Sequence, residues 1–278
     1  MRAHGAIVVA AVLFGTTFVV VKDAVADVEP VPFLAARFLL GGLATMPLAA
    51  RRPSQRGGVR AGVLCGSALM AGYVFQTVGL QYTTASVSAF ITYLLVVMVP
   101  IIAAAVLRRP PTSPTVAGVV MGTVGLFLLT GKGLALGRGE LLTLGCAVCF
   151  AVHIVLLAEF APRFDVFRLN TVQLLVTGGA CVVPGLFLGG YDFTARAWVA
   201  AVYTAIAVSA LALGLQLWGQ RRVGPTRTSL LLMIEPVAAA ILGYAMGERL
   251  GARGVLGAVI ILAGIAVAEA PVLRRRAT

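Results

Sequence analysis

Long apolar runs follow one another along the chain, parted by short polar breaks. They predict ten helices, at about 6–22, 31–50, 61–80, 85–107, 114–131, 141–158, 168–189, 197–218, 228–247 and 252–270. Each is about 17 to 23 residues, near the length needed to cross a hydrocarbon core of roughly 30 Å. What remains makes only tails and short loops, with no room for a soluble domain. The ninth run, "SLLLMIEPVAAAILGYAMGE" from Ser229 to Glu248, departs from the pattern because Glu235 and Pro236 stand side by side well inside it.

Composition places the chain in a membrane. Of its 278 residues 60% are hydrophobic and only 12% charged, with mean hydropathy +0.99; a soluble domain carries about a quarter charged residues. The net charge of +12 is a matter of topology rather than of nucleic-acid binding. With the N terminus inside, 15 basic residues fall on the inner side, among them Arg51, Arg52, Arg108, Arg221 and Arg274, against six outside: Lys22, Lys132, Arg138, Arg196, Arg249 and Arg253. Arg37 alone lies within a helix. This bias fits the positive-inside rule with both termini cytoplasmic, which requires an even number of crossings. The expected location is the plasma (inner) membrane, spanned many times. The opening stretch, with "AVA" at Ala24 to Ala26, is shaped somewhat like a signal peptide. Its apolar run of about 17 residues exceeds the usual 7–15, and Lys22 and Asp23 intervene, so it reads as the first helix. The four cysteines fall within predicted helices and suggest no disulfide framework.

Slid on itself by about 136 residues, the sequence matches in every corresponding helix. Phe14 meets Phe150, and "RFLLGGLATMP" from Arg37 meets "QLLVTGGACVVP" from Gln173. "GLQY" at 79 meets "GLQL" at 214. Pro100, followed by "IIAAAVL", meets Pro236, followed by "VAAAILG"; Gly118 and Gly125 keep the separation of Gly257 and Gly264. The expected organisation is an all-α integral membrane protein of two five-helix repeats, residues 1–133 and 134–278. An odd number of crossings per repeat inverts the second copy relative to the first. Inverted repeats build secondary transporters, with substrate bound near the midplane where the halves meet. Glu248 outside and its counterpart Arg109 inside differ as the positive-inside rule would have them.

The stretches "LFGTTFVVVK", "ARFLLGGL", "VGLQYTTASVSAFI" and above all "EPVAAAILGYAMGE" are similar to those of the EamA branch of the drug/metabolite transporters. The resemblance covers nearly the whole chain. It implies a ten-helix, five-plus-five bundle with both termini cytoplasmic, exporting amino acids, other small metabolites or drugs. The first repeat has "VLRRPP" where that family often has a Gly-Glu pair, so no acid there is given a role.

Within the helices, Pro236 lacks a backbone donor and clashes with the carbonyl of Leu232, which predicts a bend; Pro100 should do the same in the fourth helix. Freed groups in lipid need protein or cavity water around them, so the two prolines mark either gating helices or fixed kinks. An ionised Glu235 costs about 2.5–3.5 kcal/mol at a helix centre and needs a cavity or a partner. At 1.5 Å per residue it lies about 10 to 16 Å from the cytoplasmic side, and His153 about 12 Å. A His and a Glu at one level make a candidate proton-coupling pair; alternatively Glu235 mends the backbone broken at Pro236 and His153 merely packs. Arg37, about 9 Å below the outer surface, either snorkels outward or meets a substrate carboxylate. Thr16, Thr17, Tyr73, Ser88, Thr92, Tyr93 and Ser209 are expected to offer hydroxyls near the midplane, with His153, to a small polar or amphipathic substrate. Gln76 and Trp218 are assigned toward opposite ends.

Two other classes remain in view. Cys146, Cys149 and His153 share one face of the sixth helix and suit a transition-metal exporter, although no further Cys or His completes a site. A membrane-embedded enzyme would need a nucleophile–base pair at one depth, and with His4 and His153 the two histidines no such motif occurs. No phosphate-cradling Gly-x4-Gly-Lys-Ser/Thr loop exists for ATP-driven transport. The chain is thus expected to be no enzyme, to need no cofactor or metal, and to engage a small-molecule substrate and the lipid bilayer but no nucleic acid; a homodimer is left open.

Overall fold

The computed structural model describes residues 2–83, 85–108, 110–130, 137–245 and 251–277, and among these the regular structure is entirely helical. The helices are α1 (Arg2–Asp27), α2 (Pro30–Ala50), α3 (Gly58–Tyr82) and α4 (Val87–Leu107), followed by α5 (Ser113–Thr130). Then come α6 (Arg138–Phe160), α7 (Val166–Phe187), α8 (Ala195–Val223) and α9 (Pro225–Leu242), and last α10 (Ala252–Ala277). Every apolar run of the sequence falls on helix wherever it is described. Nine of the described helices are long and apolar enough to cross a membrane; α5, apolar over Ser113–Leu129, is shorter. The expected charge contrast between Glu248 and Arg109 lies outside the described residues.

The bundle turns apolar surface outward as well as inward. Ile101, Phe187 and Val199 are exposed, while Ile7, Phe33, Leu69 and Leu174 are buried, the distribution of a protein whose surroundings are as apolar as its core. Helices approach through small residues. A Cβ on Gly118 of α5 would lie 2.6 Å from the Gly264 carbonyl oxygen of α10, and one on Gly125 would lie 2.6 Å from that of Gly257. Between α2 and α7, a Cβ on Gly42 would come within 2.6 Å of Leu175 Cδ2, and one on Gly178 within 2.6 Å of the Leu39 nitrogen. Helix α3 packs along α6 and α7, and α1 along α8 and α9.

Four helices are interrupted. In α1 the turn is at Thr16, whose N–H returns to Leu13 at 3.2 Å while its hydroxyl takes the same carbonyl at 2.7 Å, the back-bonding by which Thr bends a helix. In α9 it is at Met233, whose N–H bonds Leu230 at 3.0 Å; Pro236 has no N–H to offer the Leu232 carbonyl. In α4 the break is at Leu94, with Leu94 N–H to Ile91 at 3.1 Å, and helix resumes at Leu95 and runs through Pro100 to Leu107. The interruption in α4 therefore precedes Pro100, where the sequence predicts a bend, and helix continues through Pro100 itself. Helix α8 widens into a π-helical segment, Thr204–Ala212, a form that recurs at functional sites.

Candidate functional site

The breaks in α1, α4 and α9 lie close to one another. A Cβ on Gly15 of α1, just before its turn, would be 2.9 Å from the Glu235 carbonyl oxygen. Tyr93, just before the break in α4, donates its hydroxyl to Glu235 Oε2 across the α4–α9 interface. Beside this pair is a cavity of about 60 Å³, room for a few water molecules. Thr17, Tyr73, Thr92, Tyr93, His153 and Glu235 all line it, so six of the nine side chains expected near the midplane meet in one place.

Glu235 and His153 share this cavity, yet the hydrogen bond of each goes elsewhere. Glu235 takes that of Tyr93 and does not mend the backbone at Pro236 through any hydrogen bond among the described residues. His153 Nε2 lies 3.0 Å from Gln173 Oε1. Gln173 Nε2 donates to Asn170 Oδ1 at 2.9 Å, and Asn170 Nδ2 to the carbonyl of Ala210 in the π-helical segment at 3.2 Å. Three expected residues stand apart. Thr16 pairs with the Tyr203 hydroxyl at 2.7 Å. Ser209 accepts from Arg37 Nε at 3.0 Å. Ser88 is buried with its hydroxyl unpartnered among the described residues.

Arg37 does not snorkel. It is 1% exposed, donating from Nη2 to Tyr73 at 3.4 Å, with its guanidinium 4.7 Å from the Tyr73 ring centre and 5.0 Å from that of Phe38. A planar cation held between aromatic faces is stabilised where water is absent. Arg37 and Glu235 are the two buried residues of formal charge among those described; Arg37 reaches the Tyr73 hydroxyl and Glu235 takes that of Tyr93. Gln76, assigned to one end by its depth, lines the cavity instead and donates to Thr92 Oγ1 at 3.4 Å. Trp218 lies beneath Arg222, 4.9 Å from guanidinium carbon to ring centre.

Phe14 and Phe150 line the cavity together. Their correspondence in the repeat was the signal that could have placed them there. Gln216, from the "GLQL" match, lines it too. Among the described residues Cys146, Cys149 and His153 join no group that could hold a metal. Cys146 Sγ is 3.9 Å from the Thr92 hydroxyl.

Comparison with known proteins converges on one family. Residues 1–131 and 137–269 each match the family model described as the EamA-like transporter family. An uncharacterized transporter of Archaeoglobus fulgidus is 28% identical over 92% of this chain and 82% of its own length. A second from the same organism is 27% identical over 95% of both chains, and the uncharacterized transporter YyaM of Bacillus subtilis is 26% identical over 69% of this chain and 67% of its own. A solved protein crystal structure superposes with a TM-score of 0.83 at 21% identity, covering 96% of this chain and 98% of the other; it shows the shared fold.

Proposed function

Because the chain belongs to the EamA-like transporter family, we propose that it is a secondary transporter exporting a small metabolite such as an amino acid, or a drug-like compound, by alternating access. The observation that carries this reading is the buried Glu235–Tyr93 hydrogen bond between two broken helices, on the wall of a cavity that His153 shares. A carboxylate at that depth is costly to keep without a partner, and one that binds and releases a proton beside a substrate path can couple the two movements.

An inverted repeat with ten crossings underlies the proposal, and its support is reciprocity of contact. A shift of about 136 residues converts Leu39 into Leu175 and Gly42 into Gly178; the contacts Gly42–Leu175 and Gly178–Leu39 are then one contact seen twice. Gly118–Gly264 and Gly125–Gly257 are related in the same way. A two-fold axis requires this pattern. The exchange of α3–α6 for α8–α1, and of α3–α7 for α8–α2, follows it as well. The distribution of Arg and Lys supports both termini in the cytoplasm.

A cavity of about 60 Å³ has room for water but not for a metabolite, so the described conformation is nearly closed at its centre. Opening it separates the helix halves on either side of the breaks at Leu94 and Met233, where hydrogen-bonding is already interrupted and bending costs least. Pro100 and Pro236 act as the gating positions because each removes one ladder bond from the moving half. The Tyr93–Glu235 bond spans that boundary, with Glu235 and His153 as the proton-coupling groups.

The test is uptake of a panel of amino acids and organic cations into proteoliposomes, with and without an imposed pH gradient. Wild type is expected to show gradient-stimulated transport that Glu235→Gln and His153→Ala abolish. Transport indifferent to the gradient and to both substitutions would make the protein a facilitator with a structural Glu235.

A further inference from the structure

The side-chain chain running from His153 to the π-helical segment of α8 has a direction that its chemistry dictates. It ends on the Ala210 carbonyl, which can only accept. The Asn170 group facing it is therefore the amide nitrogen, and Asn170 presents Oδ1 to Gln173. Gln173 must then donate from Nε2, which leaves its Oε1 toward the imidazole. An amide oxygen accepts, so His153 Nε2 carries the proton. In the neutral ring the lone pair is on Nδ1, which has no partner among the described residues although His153 lines the cavity.

The opposite wall repeats this chemistry. Glu235 Oε2 receives the Tyr93 hydroxyl, and Oε1 has no partner among the described residues. Among the described residues no Lys or Arg lines the cavity, whereas the rings of Phe14, Tyr73 and Phe150 do. Arg37 is turned into Ser209 and Tyr73. The two residues that carry these free acceptors thus line the cavity together with aromatic rings, and a cation bearing N–H groups satisfies both.

We propose that the Asn170–Gln173 relay fixes His153 as an Nδ1 acceptor, and that with Glu235 it selects substrates carrying a primary or secondary ammonium group. His153 is then a specificity-determining residue, and Gln173 and Asn170 are positioning residues that act through it. The proposal rests on reading this cavity as the substrate path. A quaternary ammonium of the same charge keeps the aromatic and Coulombic attraction but offers no N–H, which separates the hydrogen-bond requirement from charge alone.

The experiment uses purified full-length protein in detergent with 15N-labelled histidine; with two histidines in the chain, His4→Gln assigns the spectrum. NMR should show His153 protonated on Nε2 and bare on Nδ1. Phenethylammonium should shift the Nδ1 resonance and bind at least about tenfold more tightly than its N,N,N-trimethyl analogue, the effect of one charge-assisted hydrogen bond. Gln173→Leu should mix the tautomers and reduce that preference. An Nδ1–H tautomer in wild type, equal affinity for the two probes, or no Nδ1 response to phenethylammonium overturns the proposal; the affinity comparison uses wild type alone, and the spectral outcomes need only the His4→Gln assignment. Because no gradient is involved, its failure leaves gradient-driven transport in proteoliposomes standing. Wild type that binds phenethylammonium with this preference yet shows no gradient-driven transport overturns only the functional reading.

Discussion

Replacing Tyr93 by Phe removes one hydroxyl from a place shielded from bulk water. Tyr93 is 3% exposed and Glu235 8%, and the hydroxyl is directed at Glu235 Oε2. A hydrogen bond to an ionised group contributes about 1.5–3 kcal/mol net, one between neutral groups about 0.5–1.5 kcal/mol. Tyr93→Phe should therefore destabilise the wild type by about 1.5–3 kcal/mol if Glu235 is ionised, roughly a 10- to 150-fold change in the unfolding equilibrium. In a Glu235→Gln background a neutral acceptor remains, and the same substitution should cost about 0.5–1.5 kcal/mol. In a Glu235→Leu background it should cost close to nothing, so the double-mutant coupling recovers the bond. Reversible unfolding in mixed micelles titrated with sodium dodecyl sulfate, followed by the fluorescence of Trp198 and Trp218, measures each term. Tyr82→Phe is the control, since half of Tyr82 is exposed, and should change stability by less than about 0.5 kcal/mol. A Tyr93–Glu235 coupling below about 0.5 kcal/mol would refute the pairing. It would also remove the latch from the proposed gate.

Two further expectations concern the packing around the site. Gly257→Ala puts a methyl group 2.4 Å from the Leu129 nitrogen and 2.5 Å from the Gly125 oxygen, backbone atoms that cannot rotate away, and should cost about 1–3 kcal/mol in the same titration. Gly179→Ala, with nothing within 4 Å, should be neutral or stabilising by helix propensity; equal effects of the two would refute the close approach of α5 and α10. Arg37→Lys should destabilise by about 1–3 kcal/mol, because an ammonium cannot reproduce both the stacked plane and the Nε–Ser209 bond. A Lys variant as stable as wild type would show a snorkelling side chain after all.

Much of the site was legible before any coordinates, but unevenly. Glu235 was conspicuous because a carboxylate inside an apolar run has few harmless explanations. Its depth matched that of His153, and both line one cavity. Depth along a helix says nothing of azimuth, however, so the partners were not legible: Tyr93 for Glu235 and Gln173 for His153. Arg37 was misplaced for the same reason. A long stem near a helix end permits snorkelling, and only the rings of Phe38 and Tyr73 with Ser209 behind them decide against it. The break in α4 also escaped sequence reasoning. Proline marks a lost donor, but the turn at Leu94 precedes Pro100.

The sequence by itself determined that the chain crosses a membrane, because apolar runs of spanning length have no other stable environment. It also determined that the chain repeats, since an ordered series of matches at one offset survives even in so biased a composition. Which side chains share a cavity, which carbonyl in α8 orients the histidine, and which hydroxyl holds the buried carboxylate were decided by tertiary structure alone. Those facts depend on how helices far apart in sequence rotate and approach across glycine contacts, and hydropathy reports the length and depth of a helix but not its rotation.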